Sequence, residues 1–261
     1  MSTISSSLAT HYHNFTRYIN TRPREAALTS TAVAFTLSLA WVLNDFYAWK
    51  AFGTGGTPPT WAGYWRMTKI RVNRFLLFGK DDLANASTLS SAGPKYLDAA
   101  KVPVRQGQRP RSIARTMPQR QVPYDKRVVA PLVEDRVAGM MATFATKHSD
   151  ILELRPSKTE GGSAEAIYAK PDLPTLNALA PYNKMLTTEI AHAHSSEGSL
   201  HVWLSEADAK TVVEKGWGVR FPLSFVPKGW AMVYAPRTME EVDLVETVVR
   251  AGISFVTGVE V

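Results

Sequence analysis

The chain has 261 residues, 45% of them hydrophobic and 20% charged, which leaves room for one sizeable domain and additional segments. It contains no cysteine, so disulfide staples, thiolate metal centres and cysteine nucleophiles are excluded. The formal net charge of +7 is concentrated at Arg66, Lys69, Arg71, Arg74 and Lys80 and again between Arg105 and Arg127, whereas the chain from about Leu132 on is nearly balanced. That distribution suits anionic lipid headgroups better than a nucleic-acid face. No zinc-finger spacing, basic-zipper pattern or aromatic RNA-binding signature is present, so no nucleic-acid partner is expected.

Residues 1–25 form an N-terminal tail carrying Arg17, Arg22 and Arg24. Ala26 to Leu43 contains no charge, proline or glycine, and Phe46, Tyr47 and Trp49 follow as interface aromatics. The pattern predicts an uncleaved transmembrane anchor over 26–48; a cleaved signal peptide and a buried soluble helix are the alternatives. The basic cluster at 66–80 places the C-terminal domain on the cytosolic side, as in a single-pass protein of the endoplasmic reticulum. After the Gly53–Pro59 break, Trp61–Phe78 reads as an amphipathic helix. Trp61, Tyr64, Trp65, Thr68, Val72, Phe75 and Leu76 make one face, with Arg66, Lys69, Asn73 and Arg74 opposite, as in a helix lying in the membrane interface. This helix and a basic connector fill 49–127. Residues 81–127 show no sustained period and read as a long arm.

From 128 to 261 the signals describe the domain that carries the chemistry. Pro131 opens a helix with a stripe at Val133, Val137, Met140 and Phe144. Strands are expected at Ile151–Arg155, Ala164–Lys170, Leu186–His194, Ser199–Leu204 and Trp230–Tyr234. A helix capped by Ser205 closes at Gly216, and another capped by Thr238 stops at Gly252. The fold class is α+β: a small antiparallel sheet with packed helices, preceded by the transmembrane helix and the interfacial helix.

Three of the six histidines, His192, His194 and His201, fall within ten residues. With SSEG at 195–198 as the turn, Leu200 meets Ala193 and His201 meets His192, and all three imidazoles share one face. Three readings remain open. The imidazoles form a metal site for Zn, Fe or Cu; they move protons to and from an enolic or phenolic substrate; or they are structural, satisfied by hydrogen bonds. Glu189 has the wrong parity to join them unless a bulge intervenes, and it reads as a surface or supporting charge. Trp217, between two glycines, walls a pocket or belongs to the core. Arg237, just after a strand, holds an anionic substrate or is a plain surface charge. No dinucleotide fingerprint, P-loop or nucleophile elbow is present, so no organic cofactor is expected.

The ordered series Glu189-Ile-Ala-His192-Ala-His194, Ser199-Leu-His201, Lys215-Gly-Trp-Gly218, Pro222-Leu223 and Tyr234-Ala-Pro-Arg237 resembles the fungal luciferase family. The N-terminal span, the Gly-Gly-Thr-Pro segment, Gly107-Gln-Arg-Pro110 and Gln119-Arg-Gln121 extend the likeness over most of the chain. The resemblance implies a membrane-associated enzyme that adds O2 to the hydroxypyrone 3-hydroxyhispidin without an organic redox cofactor. Where that family reads His-Pro-Leu after Gly-Trp-Gly, this chain has Phe221-Pro-Leu, and phenylalanine neither binds metal nor moves a proton. The expectation is a non-luminescent relative of secondary metabolism that oxidises, rearranges or cyclises a hydroxypyrone, polyketide or phenol. His192 and His201 would be the acid/base pair and His194 their support. Arg237 would orient the substrate, and Trp217, Phe221 and Tyr234 would line its pocket. O2 is the expected co-substrate, the metal content is open, and the partners are a small metabolite, membrane lipid and other pathway enzymes. The rival readings are a non-catalytic scaffold tethered to the membrane and a true luciferase.

Overall fold

A computed structural model describes residues 2–78, 82–111, 120–221 and 226–261, the side chains of 2–9, 74, 75, 77 and 78 excepted. Of the residues singled out above, Lys80, Gln119, Pro222 and Leu223 and the side chains of Arg74 and Phe75 lie outside these. The chain divides into two units, Met1–Ala48 and Trp49–Val261.

The first unit is helical. The N-terminal tail forms α1 (Ser2–Thr21), and α2 (Pro23–Phe52) starts on a proline, whose missing N–H costs nothing in a first helical turn. At 30 residues α2 is long and apolar enough to cross a membrane, and none of its most apolar stretch is buried. Leu28, Val33, Phe35, Leu37, Leu39 and Trp41 are all exposed.

The second unit begins with the end of α2 and continues into α3 (Trp61–Phe78). The single apolar face expected for α3 is divided. Tyr64 and Met67 are buried, with the Tyr64 ring 5.9 Å from Trp49, whereas Trp61, Trp65, Val72 and Leu76 point outward. Then come α4 (Val133–Lys147), β1 (Leu152–Pro156), β2 (Glu165–Ala169), β3 (Glu189–Ala193), β4 (Leu200–Trp203), α5 (Glu206–Glu214), β5 (Gly218–Arg220), β6 (Trp230–Val233) and α6 (Met239–Thr257). The strands form one antiparallel sheet in the order β1-β2-β3-β4-β6-β5.

The expected stripe of α4 is buried, but the helix starts at Val133 rather than Pro131, because Leu132 turns left-handed in front of it (φ 74°). Ser205 caps α5 through the Asp208 amide, and Gly216 follows its last turn at φ +84°, where glycine carries no Cβ penalty. Gly252 does not end α6. The helix runs on to Thr257 and its left-handed cap is Gly258. Gly252 serves packing instead: a Cβ there would lie 2.8 Å from Val202 Cγ1 and 3.0 Å from the Trp203 carbonyl oxygen. Strand β5, which starts at the second glycine of Gly216-Trp-Gly218, has three residues, too few for sequence periodicity to reveal.

Helices α4, α5 and α6 cover one face of the sheet, packed on Ile190, Ala191, Leu200, Val202 and Val233. By strand alternation His192, His201, Met232 and Val219 share the other face. The described residues 82–111, 120 and 121 are irregular, as their lack of period implies, but they are no free arm. Leu83 closes over Val219, Met232 and Tyr234, and the Asp208 carboxylate accepts the amides of Tyr96 and Leu97 at 2.9 and 3.2 Å. The Trp217 indole donates to the Pro103 carbonyl at 2.7 Å.

Candidate functional site

Register decides whether the histidines meet. Ala193 pairs with Leu200 and His192 with His201, as the SSEG turn predicts. His194 follows the strand, its amide bonded to the Ser199 carbonyl at 2.9 Å. The ring centroids lie 5.1 Å (His192–His194), 5.2 Å (His192–His201) and 4.8 Å (His194–His201) apart. All three rings are buried. Trp230 stacks on His201 at 5.5 Å, and Phe221 meets the same imidazole edge-on at 5.0 Å.

Three carboxylates surround the rings. The pairing of β2 with β3 slips between Ile167 and Tyr168, so that Ala191 faces Ile167 but Glu189 faces Tyr168. This bulge overturns the parity expectation for Glu189: its Oε1 lies 2.8 Å from His192 Nδ1. Ser157, Thr159 and the Tyr168 hydroxyl also donate to Glu189. Burial opposes ionisation of Glu189, but the His192 bond and these donors outweigh it and hold its pKa down to about 2. Glu197, in the SSEG turn, lies 2.9 Å from His194 Nδ1, and Ser199 Oγ lies between them at 2.9 Å from the ring and 2.8 Å from the carboxylate.

Glu160 comes from the β1–β2 loop. Its Oε1 is 3.6 Å from the Nε2 atoms of both His192 and His194. That loop is seated on the Gly53–Pro59 turn by glycines at both sides of the contact: a Cβ on Gly56 would lie 2.7 Å from the Thr159 carbonyl oxygen, and one on Gly161 would lie 2.7 Å from Gly56 Cα. Arg120 supplies the buried cation. It is bonded to Glu160, lies 3.7 Å from Glu197 Oε2 and donates to Ser196 Oγ at 3.0 Å.

The electrostatics divide the rings. Burial pushes His192 toward neutrality, but its bonds to Glu160 and Glu189 outweigh this and hold its pKa up to about 9. Burial and repulsion from His194 and His192 drive His201 the other way, well below the ordinary value. Its Nδ1 has no hydrogen-bond partner among the described residues. Burial opposes the charge on Glu160, yet the two histidines and Arg120 hold its pKa far below the carboxylate range. The ring and carboxylate ligand atoms of Glu160, His192, His194 and His201 all lie within 4.8 Å of one another.

A cavity of about 520 Å³ adjoins this cluster at His194 and Glu197. Tyr124, Val133, Val137, Met141 and Pro236 are among its other walls.

The remaining expected site residues are not brought together. Arg237 is bonded to Glu241 one helical turn on and donates to the Gln106 carbonyl at 3.0 Å, so its charge is already taken up away from the cluster. Trp217 and Tyr234 are buried on either side of Arg105, whose guanidinium lies 5.8 and 5.7 Å from their rings. Neither they nor Arg237 lines the cavity. Phe221 reaches the cluster through His201 alone. Glu160 carries no sequence signal of its own, because only the tertiary fold brings it in, and Arg120 lies in the Gln119-Arg-Gln121 likeness, which gave it no role. Glu197, three residues from His194 in a turn already recognised, was legible by spacing.

The Luciferase domain family model matches residues 187–252, which include all three histidines. Over 260 residues the chain is 30% identical to a luciferase of Neonothopanus nambi, covering 93% of this chain and 92% of that protein. The chain belongs to the fungal luciferase family. A luciferase-family member from Armillaria mellea is 29% identical over 257 residues, with 92% of each chain covered, and one from Armillaria gallica is 28% identical over 251 residues, covering 92% and 90%. No solved structure matches the chain. Within this family member, Glu160 and Arg120 fall outside the matched domain although they complete its histidine cluster.

Proposed function

We propose that this luciferase-family protein is a membrane-anchored enzyme of secondary metabolism. It takes a hydroxypyrone, polyketide or phenolic metabolite into the cavity beside His194 and oxidises, rearranges or cyclises it, with O2 as co-substrate for the oxidation. The observation that carries this reading is the burial of three touching imidazoles among three carboxylates at the wall of a cavity. Burying so many ionisable groups is costly, and an apolar packing of the same volume would hold the sheet at least as well. Groups of opposite tendency side by side, one ring held charged and another held neutral, are the arrangement that proton transfer uses.

An enolic or phenolic hydroxyl must lose its proton before oxygen or a carbon electrophile attacks the ring. His192 and His201 are the pair assigned to that proton, with His194 as their support. Phe221 takes the position at which the family's histidine is expected and lies against His201, which favours chemistry without light. The exposed apolar length of α2 and the outward Trp61, Trp65, Val72 and Leu76 of α3 support lipid as the partner of the N-terminal half. The basic run at 66–80 supports a cytosolic side, as in the endoplasmic reticulum.

The test uses the full chain in detergent with O2 and a panel of hydroxypyrones that includes 3-hydroxyhispidin. Substrate loss, oxygen uptake and light are followed together. The parent should consume at least one compound, and His192→Ala, with an unchanged melting curve, should not. Equal turnover by the variant, or none by the parent, rejects the reading. Light from the parent would make it a luciferase proper.

A further inference from the structure

The inner faces of His192 and His194 present a problem that hydrogen bonding alone does not solve. A carboxylate only accepts, so the 2.8 Å contact to Glu189 makes His192 Nδ1 the donor. The Ser199 hydroxyl donates to Glu197, so towards His194 Nδ1 both Ser199 and Glu197 are acceptors. With both Nδ1 atoms carrying protons, the Nε2 atoms turn inward, and the second proton that keeps His192 charged has only His194 Nε2 at 3.3 Å and Glu160 Oε1 at 3.6 Å to go to, both long for a charge-assisted bond. The third group facing them is Glu160 Oε1, another acceptor. Once that proton leaves, three acceptors converge, and the guanidinium of Arg120 faces only two of the three buried carboxylates, Glu160 and Glu197.

The spacing fits a cation. A triangle with sides of 3.3, 3.6 and 3.6 Å has a point about 2.0 Å from all three corners, which is the bond length of zinc and its neighbours to imidazole nitrogen and carboxylate oxygen. His201 brings a fourth ligand atom within 4.8 Å of the others. The outer carboxylates on the Nδ1 atoms repeat the supporting pattern of histidine metal sites, in which the second nitrogen of each ring is held by an acceptor.

We infer that Glu160, His192, His194 and His201 bind one divalent first-row transition-metal ion. All four ligands are nitrogen or oxygen, as suits Zn2+, Fe2+ or Mn2+. The inference deepens the reading of this cluster as a catalytic centre. The ion would supply a Lewis-acid site for an enolate oxygen, and in the loaded protein the ring nitrogens would serve as its ligands, in place of the His192–His201 proton pair of the metal-free cluster. The metal claim itself rests on the cluster's geometry alone.

The experiment takes the full chain purified in detergent without chelator and measures bound metal by plasma mass spectrometry, with about one equivalent expected. Chelator-treated protein is then given Zn2+, Fe2+, Mn2+ or Co2+ separately. At least one ion should raise the melting temperature by several degrees, and Co2+ should develop visible ligand-field bands. Glu189→Gln keeps all four ligands and should weaken metal affinity about 10–100-fold, a change that a merely structural role would not produce. His194→Ala, or Glu160→Gln if the former does not fold, should lose most of the bound metal. Protein isolated without metal, with no thermal or spectral response to any of the four ions, overturns the inference and means that protons hold the cluster together. Turnover by metal-free protein would overturn it while leaving the enzyme standing. Bound metal without turnover of any substrate would support it and count against the enzyme.

Discussion

The two ends of this chain break the ordinary rule of burial in opposite senses. In α2 the apolar side chains are outside, with Phe35 69% and Leu37 66% exposed. On β3 the charged and titratable ones are inside, with Glu189 and His192 fully buried. Each inversion is unfavourable in water, and the relief proposed differs: hydrocarbon for the first, a cation or substrate for the second. The comparison teaches that a residue in the wrong place is informative about a ligand only when its neighbours share the anomaly. Single exposed leucines or single buried histidines would mean little.

The strongest way to break this comparison is to remove the apolar length of α2. The full chain should stay with membranes through high-salt washing, and deletion of 26–48 should move it to the supernatant. Release of the intact chain by salt alone would remove lipid from the explanation of α2. At the histidine cluster, His192→Ala should lower turnover per folded molecule by about 10²–10⁴-fold, read by substrate consumption. Glu197→Gln leaves the rings in place but withdraws the acceptor that orients His194. It should cost about 10–100-fold in turnover, and an unchanged rate would make Glu197 a bystander.

Smaller effects separate packing from chemistry. Gly252→Ala forces a Cβ against Val202 and should destabilise the domain by about 1–3 kcal/mol in denaturant unfolding, with turnover per folded molecule preserved. The smallest effect concerns Arg237. Burial raises the pKa of Glu241, but the hydrogen bonds from Arg237 outweigh this and lower it overall. Such a group stabilises the fold above its unfolded pKa, and the contribution is lost as pH falls through the folded value. Arg237→Ala should therefore cost about 1 kcal/mol or less near neutrality, and the difference from the parent should shrink in acid. A large loss of turnover in Arg237→Ala would return this arginine to the site.

What the sequence revealed and what it concealed follow one physical division. The pairing of His192 with His201 was legible because a strand alternates with period two and the SSEG turn fixes the register. The caps at Ser205 and Thr238 were legible because capping is local. Glu189 was misjudged because a bulge adds a residue that periodicity cannot count, and Gly252 because a glycine that ends a helix and one that admits a neighbouring strand look alike. Arg237 left two readings open, an anion holder and a surface charge, and its bond to Glu241, four residues on in α6, gives the guanidinium a local partner. Glu160 was beyond reach, since nothing in its own surroundings points to a partner across the fold, and the Gln119-Arg-Gln121 likeness marked Arg120 without pointing to its partner.

The bond between Arg120 and Glu160 joins residues forty positions apart, one on the irregular stretch and one on a loop. The smallest transplantable piece is therefore not the 187–252 module by which the family is recognised. A truncated chain starting at residue 128, or a chimera that exchanges only the module, would inherit the imidazoles without the guanidinium that neutralises their neighbouring carboxylate. Any grafting of this centre onto another scaffold has to carry Arg120 through His201 as one unbroken length.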